Sequence, residues 1–167
     1  MDNRHVHTIP PVYNEESRIL ILGTFPSVKS REGNFFYHHP QNRFWKVISA
    51  ICGEECPKSI EEKRELLLRN GIALWDVVYS CDIAGSADSS IKNVVPNDIS
   101  PILQKADIRT ICANGGTAYR LYKKYIYPIV KRDIIHLPST SPANASYSLE
   151  RLVEEWSKYI KGKDSRS

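Results

Sequence analysis

Three segments of this chain hold residues that could do chemistry on a flat, polar ligand. Gly23-Thr24-Phe25-Pro26-Ser27 directly follows the apolar run Ile19-Leu20-Ile21-Leu22, and Leu137-Pro138-Ser139-Thr140-Ser141-Pro142-Ala143-Asn144-Ala145 follows Asp133-Ile134-Ile135. Between them lies His38-His39-Pro40-Gln41-Asn42-Arg43-Phe44-Trp45. Gly23 and Pro26 permit a tight turn that a ligand can approach closely, with Thr24 and Phe25 on its wall. Phe35, Phe36 and Tyr37 offer flat faces for stacking, or else simply pack the core. Asn42 can accept from and donate to a water, holding it against an electrophilic carbon although an amide is no strong base. Standing just before a helix, it could equally cap its own backbone. Ser139, Thr140, Ser141 and Asn144 suit phosphate contacts, because small hydroxyls and open backbone amides allow close approach; a plain proline-rich turn is the alternative. Ser27 and Lys29 offer the same in the first loop. Asp76, at the end of another apolar run, could accept from a ring N–H or cap its loop.

These residues must be carried by alternating strands and helices. Residues 18–23, 72–78, 108–113 and 133–137 read as short buried strands. Phe44, Trp45, Val47, Ile48 and Ile51 recur at three- and four-residue spacing, which predicts a helix over 41–52. Ser59 with Glu62 forms a capping box for a helix that Asn70-Gly71 stops. Residues 98–106 and 116–127 read as helices, the latter ended by Pro128, and 148–161 as an amphipathic helix with Leu149, Leu152, Val153, Trp156 and Ile160 inward. Residues 79–97 read as one long irregular loop, with Gly85 to Ser90 a polar floor or lid. Residues 1–16 form an arm leading into the first strand, and 162–167 are expected to be disordered. The pattern predicts a single α/β domain: a three-layer α/β/α sandwich with a central four-stranded, mainly parallel sheet. In such a sheet the carboxyl ends of the strands form the ligand crevice, so the two outer motifs face one another across one site.

The three motifs resemble those of the uracil-DNA glycosylase superfamily, over the chain from about Ile19 to the last helix, and within it the hypoxanthine-DNA (deoxyinosine) glycosylase branch. That resemblance implies a DNA repair enzyme that flips a damaged base out of the helix, stacks it on an aromatic and reads its polar edge. It implies Gly23, Thr24, Phe25, Phe36, Tyr37 and Asp76 at the base, Asn42 as catalytic residue, and Ser27, Lys29, Ser139, Thr140, Ser141 and Asn144 on the DNA strand. The family commonly carries an aspartate or asparagine at the third position of the first motif, where this chain has Phe25, and a histidine at the start of the second, where it has Leu137. His136 precedes Leu137 but points to the opposite face of a strand. The water must then be held by Asn42. No lysine stands in a matching motif to form a Schiff base, so a monofunctional hydrolase is expected. A uracil or mismatch-thymine glycosylase, a lesion-binding module without catalysis, and an unrelated nucleotide-binding protein stand as alternatives.

With 167 residues, 41% of them hydrophobic, the chain can bury a substantial core. Its net charge of +4 is compatible with a polyanionic partner without requiring one. Cys52, Cys56, Cys81 and Cys112 contain no C-x-x-C pair, so no metal, cluster or cofactor is expected. No apolar run is long enough for a membrane span, and a monomeric cytoplasmic protein acting on damaged DNA is the expectation.

Overall fold

A computed structural model describes residues 4–161. In chain order its elements are β1 (Arg4–Val6), β2 (Ile19–Gly23), α1 (Val28–Gly33), α2 (Phe44–Cys52), α3 (Ile60–Arg69), β3 (Ile72–Asp76), β4 (Val78–Asp82), β5 (Lys92–Pro96), α4 (Ser100–Lys105), β6 (Thr110–Asn114), α5 (Gly116–Leu121), α6 (Tyr127–Val130), β7 (Ile135–Leu137) and α7 (Leu149–Ser157). Four of the strands form one parallel sheet in the order β3-β2-β6-β7. Every residue of β2 is buried, as a central parallel strand covered on both faces requires.

The alternation along β2 divides the core into two layers. Ile19 and Ile21 face one cluster with Phe44, Val47 and Ile48 of α2, Leu66 and Leu67 of α3, and Leu152 and Trp156 of α7. Leu20 and Leu22 face the other, with Ile102 of α4, Ala118 of α5 and Tyr122. The sheet is therefore covered by helices on both faces, which is the expected α/β/α sandwich. Ser59 and Ser148 cap α3 and α7 by accepting from Glu62 N and Arg151 N.

Several expectations need correction, among them the strand read over 72–78, which divides into β3 and β4. The segment 79–97 is not one irregular loop: β4 and β5 lie in it and, with β1, form a second, antiparallel sheet in the order β1-β4-β5. The amino-terminal arm is thus built into the fold; Val12 also bridges to Leu74, and Ile9 and Val12 lie in the core. Pro128 does not end the helix begun at Gly116. A π-helical turn over Tyr122–Ile126 changes the hydrogen-bond spacing, and Pro128 sits in the first turn of α6, where its missing N–H costs nothing. Leu149, at the start of α7, is exposed and not inward. The expected disorder of 162–167 lies outside the described residues.

No described helix is long and apolar enough to cross a membrane, and no cluster of metal-ligating side chains exists among the described residues.

Candidate active site

The parallel strands end at Gly23, Asp76, Asn114 and Leu137, and above these ends lies a cavity of about 1150 Å³. It is lined by both outer motifs, by Asn42, and by Ser86 to Ser89 from the segment between β4 and β5. That segment is pinned to α1, directly after the first motif, because Val28 N donates to Ser86 Oγ and Arg31 donates to Gly85 O.

Asn42 is locked by a short network. Its Oδ1 accepts from Phe44 N at 2.9 Å and from the Thr140 hydroxyl at 2.8 Å. Asn114 Oδ1 accepts from Thr140 N, and its Nδ2 donates to Thr140 Oγ1, both at 3.0 Å. Two donors on one carbonyl oxygen fix which way the amide points and leave the Nδ2 hydrogens as what Asn42 can offer a ligand. The capping bond to Phe44 N and a place on the cavity wall therefore coexist in one side chain. Thr140 is fully buried, so its expected phosphate contact is corrected: it positions Asn42 and has no surface for a strand.

The second motif is shaped by its own polar groups. Ser141 N donates to Ser139 Oγ, Ala143 N to Ser141 Oγ, and Asn144 Nδ2 to Ser139 O. Arg43, which sequence reasoning passed over, clamps the loop from below by donating to the carbonyls of Ser141, Asn144 and Tyr147. Ser139, Ser141 and Asn144 still line the cavity.

At the floor, Asp76 and Tyr37 meet across Gly23. A Cβ built on Gly23 would lie 2.4 Å from Asp76 Oδ1 and 2.7 Å from Tyr37 Oη, so only glycine admits both oxygens there. Gly23→Ala should therefore displace one or both groups and lower any single-turnover reaction at this cavity at least ~10²-fold, since small misplacements at a reacting centre cost that much. A near-normal rate would show that the two oxygens have no part in binding. Asp76 is buried, its Oδ2 takes a hydrogen bond from His7 Nε2 at 2.8 Å, and its main-chain oxygen accepts from Asn97 Nδ2. It caps no loop.

Tyr37 adopts a left-handed conformation (φ 51°), uncommon for a bulky residue, and its ring stacks on Phe44 with centroids 4.1 Å apart. Among the described residues its hydroxyl is buried without a hydrogen-bond partner. Burial, and then the Asp76 carboxylate, push its acidity well below that of an ordinary phenol, so it stays a donor; the nearby Asn114 side chain offsets this only in part. Phe36 is buried against Phe35 and His7. Phe25 is buried against His7 and lies under the Arg31 guanidinium. The structure places Phe25, Phe36 and Tyr37 on the cavity wall, with Phe36 and one face of Tyr37 already packed against other rings.

Ser27 caps α1 and lines the cavity. Lys29 is not brought into it: the side chain is exposed on α1 near Glu32. His136 stacks on Tyr119 at the cavity mouth. Asp88 also lines the cavity, from an exposed position on the segment between β4 and β5; partial desolvation there, opposed by a Thr24 hydrogen bond and supported by the neighbouring Asp76 charge, raises its carboxyl above the ordinary range.

The model of the family described as "Uracil DNA glycosylase superfamily" matches residues 10–161. The chain belongs to the uracil DNA glycosylase superfamily. Two relatives named "Hypoxanthine DNA glycosylase" are each 35% identical to it. The one from Methanosarcina acetivorans aligns over 88% of this chain and 92% of its own length. The one from Methanosarcina barkeri aligns over 64% and 68%. The solution NMR structure of a proposed uracil DNA glycosylase from Methanosarcina acetivorans superposes with a TM-score of 0.78 at 34% identity, covering 91% of this chain and 94% of that one. Within this superfamily frame the cavity lies where the sheet topology calls for a ligand, and its walls come from the motifs that carried the resemblance.

Proposed function

We propose that this chain is a monofunctional DNA glycosylase that removes hypoxanthine from DNA and leaves an abasic site. Its superfamily membership and the name of its relatives support the reaction class and the base. The observation that carries the substrate reading is the pair at the cavity floor: a carboxylate oxygen that can only accept lies beside an unpaired hydroxyl that can donate. Hypoxanthine presents the complement, an N1–H beside the O6 carbonyl. Adenine has an acceptor at N1 and would face Asp76 with no hydrogen between them, which typically costs ~1–3 kcal/mol.

In the reaction the base is flipped into the cavity with N1–H on Asp76 Oδ1 and O6 toward Tyr37 Oη. The bond between C1′ and N9 breaks with its electron pair leaving on the base, and charge develops on an oxocarbenium-like sugar. Such a sugar needs an aligned water more than a strong nucleophile. Asn42 Nδ2 donates to that water and holds its other lone pair toward C1′. The water oxygen bonds to C1′ and its proton passes to the departing base or the solvent. Phe25 has no polar atom to assist, which leaves the positioning to Asn42.

Uracil and xanthine also carry an N–H beside a carbonyl, so the floor separates these deaminated bases from adenine and cytosine. Guanine and thymine share the edge as well, but in their normal pairs flipping is more costly than for a mismatched lesion. The test uses matched duplexes containing hypoxanthine, uracil, xanthine or no lesion, incubated with the protein and then cleaved with alkali. Hypoxanthine should be released fastest, with strand breaks appearing only after alkali. Faster uracil release opposite every base would overturn the substrate reading, and breaks without alkali would overturn the monofunctional one.

On the DNA strand, Ser139→Ala and Asn144→Ala should weaken binding to damaged and undamaged duplex alike, because contacts to phosphate and sugar carry little base information. Affinities by fluorescence anisotropy at two salt concentrations check this. A change of base preference with unaltered affinity for undamaged duplex would place these residues at the base instead.

A further inference from the structure

The only bond that holds the Asp76 side chain among the described residues comes from a segment outside all three motifs. His7 follows β1, whose pairing with β4 and the bond from His7 N to Tyr79 O bring it against the end of β3. The ring is almost wholly buried, with Phe25, Phe36 and Trp75 around it at centroid distances of 6.0 to 6.1 Å. Its Nδ1 accepts from Ile9 N at 3.3 Å, so the proton of the neutral ring is on Nε2 and is donated to Asp76 Oδ2 at 2.8 Å. One carboxylate oxygen is thereby engaged from behind, and Oδ1 is the one left against Gly23 and the Tyr37 hydroxyl.

We infer that His7 is a positioning residue for base selection: by donating to Oδ2 it holds Asp76 with Oδ1 facing the cavity as a pure acceptor, and so makes the amino-terminal segment part of the specificity apparatus. This rests on the reading of Asp76 as the group that receives the N1–H of the base. The aromatic cage keeps the ring in one plane, and the Ile9 N–H selects the tautomer, so the acceptor at the cavity floor is set by residues that never touch the ligand. Loss of the Nε2 donor would let the carboxylate rotate and leave it short of a buried partner.

The experiment compares single-turnover excision of hypoxanthine with that of unsubstituted purine, which lacks both the N1–H and the O6, in the same duplex. The ratio is taken within one protein sample, so any unfolded fraction cancels. His7→Phe fills the cage without a donor and should lower the ratio about tenfold or more, whereas His7→Gln places an amide N–H near Nε2 and should keep it within about threefold of wild type. Combining His7→Phe with Asp76→Ala should lower the ratio no further than Asp76→Ala alone. A ratio unchanged in His7→Phe, with Asp76→Ala collapsing it, would overturn the positioning role and leave the reading of Asp76 intact. A ratio unchanged in Asp76→Ala would overturn that underlying reading, and equal losses in His7→Phe and His7→Gln would reduce His7 to packing.

Discussion

Asn42→Ala should lose at least ~10²-fold in single-turnover excision of hypoxanthine, because a water no longer held against C1′ forfeits orientation worth several kcal/mol. The substitution also removes the acceptor for Phe44 N and the Thr140 hydroxyl, and such a cap contributes ~0.5–2 kcal/mol to stability. Asn42→Asp separates the two effects. It keeps an oxygen for both donors, so its melting temperature should stay close to wild type, yet it has no Nδ2 hydrogens to hold the water and its rate should fall like that of alanine. A near-normal rate in both variants would assign Asn42 to capping alone, and Asp88, a carboxyl on the cavity wall raised above its ordinary range, would be the next residue to replace.

Asp76→Asn should change the preference at the cavity floor, and His7 fixes its direction. With His7 Nε2–H donating, the new amide must turn its oxygen toward His7, which points the NH2 at the base. A donor then meets the N1–H of hypoxanthine, and the selectivity for hypoxanthine over unsubstituted purine should fall by about tenfold or more for one unpaired buried group. The ratio of the two excision rates in wild type and variant measures it. An unchanged ratio with a lowered melting temperature would show that the Asp76 carboxylate supports the fold and does not read the base.

Much of this fold is legible in the sequence because burial writes a period into it. The stripe of Phe44, Trp45, Val47 and Ile48 and the Ser59 and Ser148 caps predict α2, α3 and α7 to within a few residues. The apolar runs ending at Gly23, Asp76 and Leu137 are strands whose ends meet at one cavity. What escaped notice has no local pattern. In β5, Lys92 and Asn93 are exposed and Val95 is 44% exposed, so the strand carries no alternating apolar face; it exists because β4 offers an edge to pair with. The continuation through Pro128 depends on a π turn that propensity does not foreshadow.

The site divides in the same way. Gly23, Asn42 and Asp76 are recognisable as residue types at strand and helix ends, and the structure brings them to one cavity. Ser139, Thr140 and Ser141 all carry a small hydroxyl suited to a strand contact, and nothing in their spacing tells which of the three turns inward to Asn42 and Asn114. His7 lies 69 residues from Asp76, in a segment that already contains His5, so only the pairing of β1 with β4 reveals which histidine reaches the floor.

The most direct measurement of the central claim is the structure of the Asn42→Ala variant bound to a duplex containing deoxyinosine, in which slow hydrolysis preserves the base. The account predicts hypoxanthine flipped into the cavity with N1 about 3 Å from Asp76 Oδ1 and O6 turned toward Tyr37 Oη. A base lodged there with N1 turned away from Asp76, or a deoxyinosine left stacked in the duplex while the cavity stands empty, would contradict it.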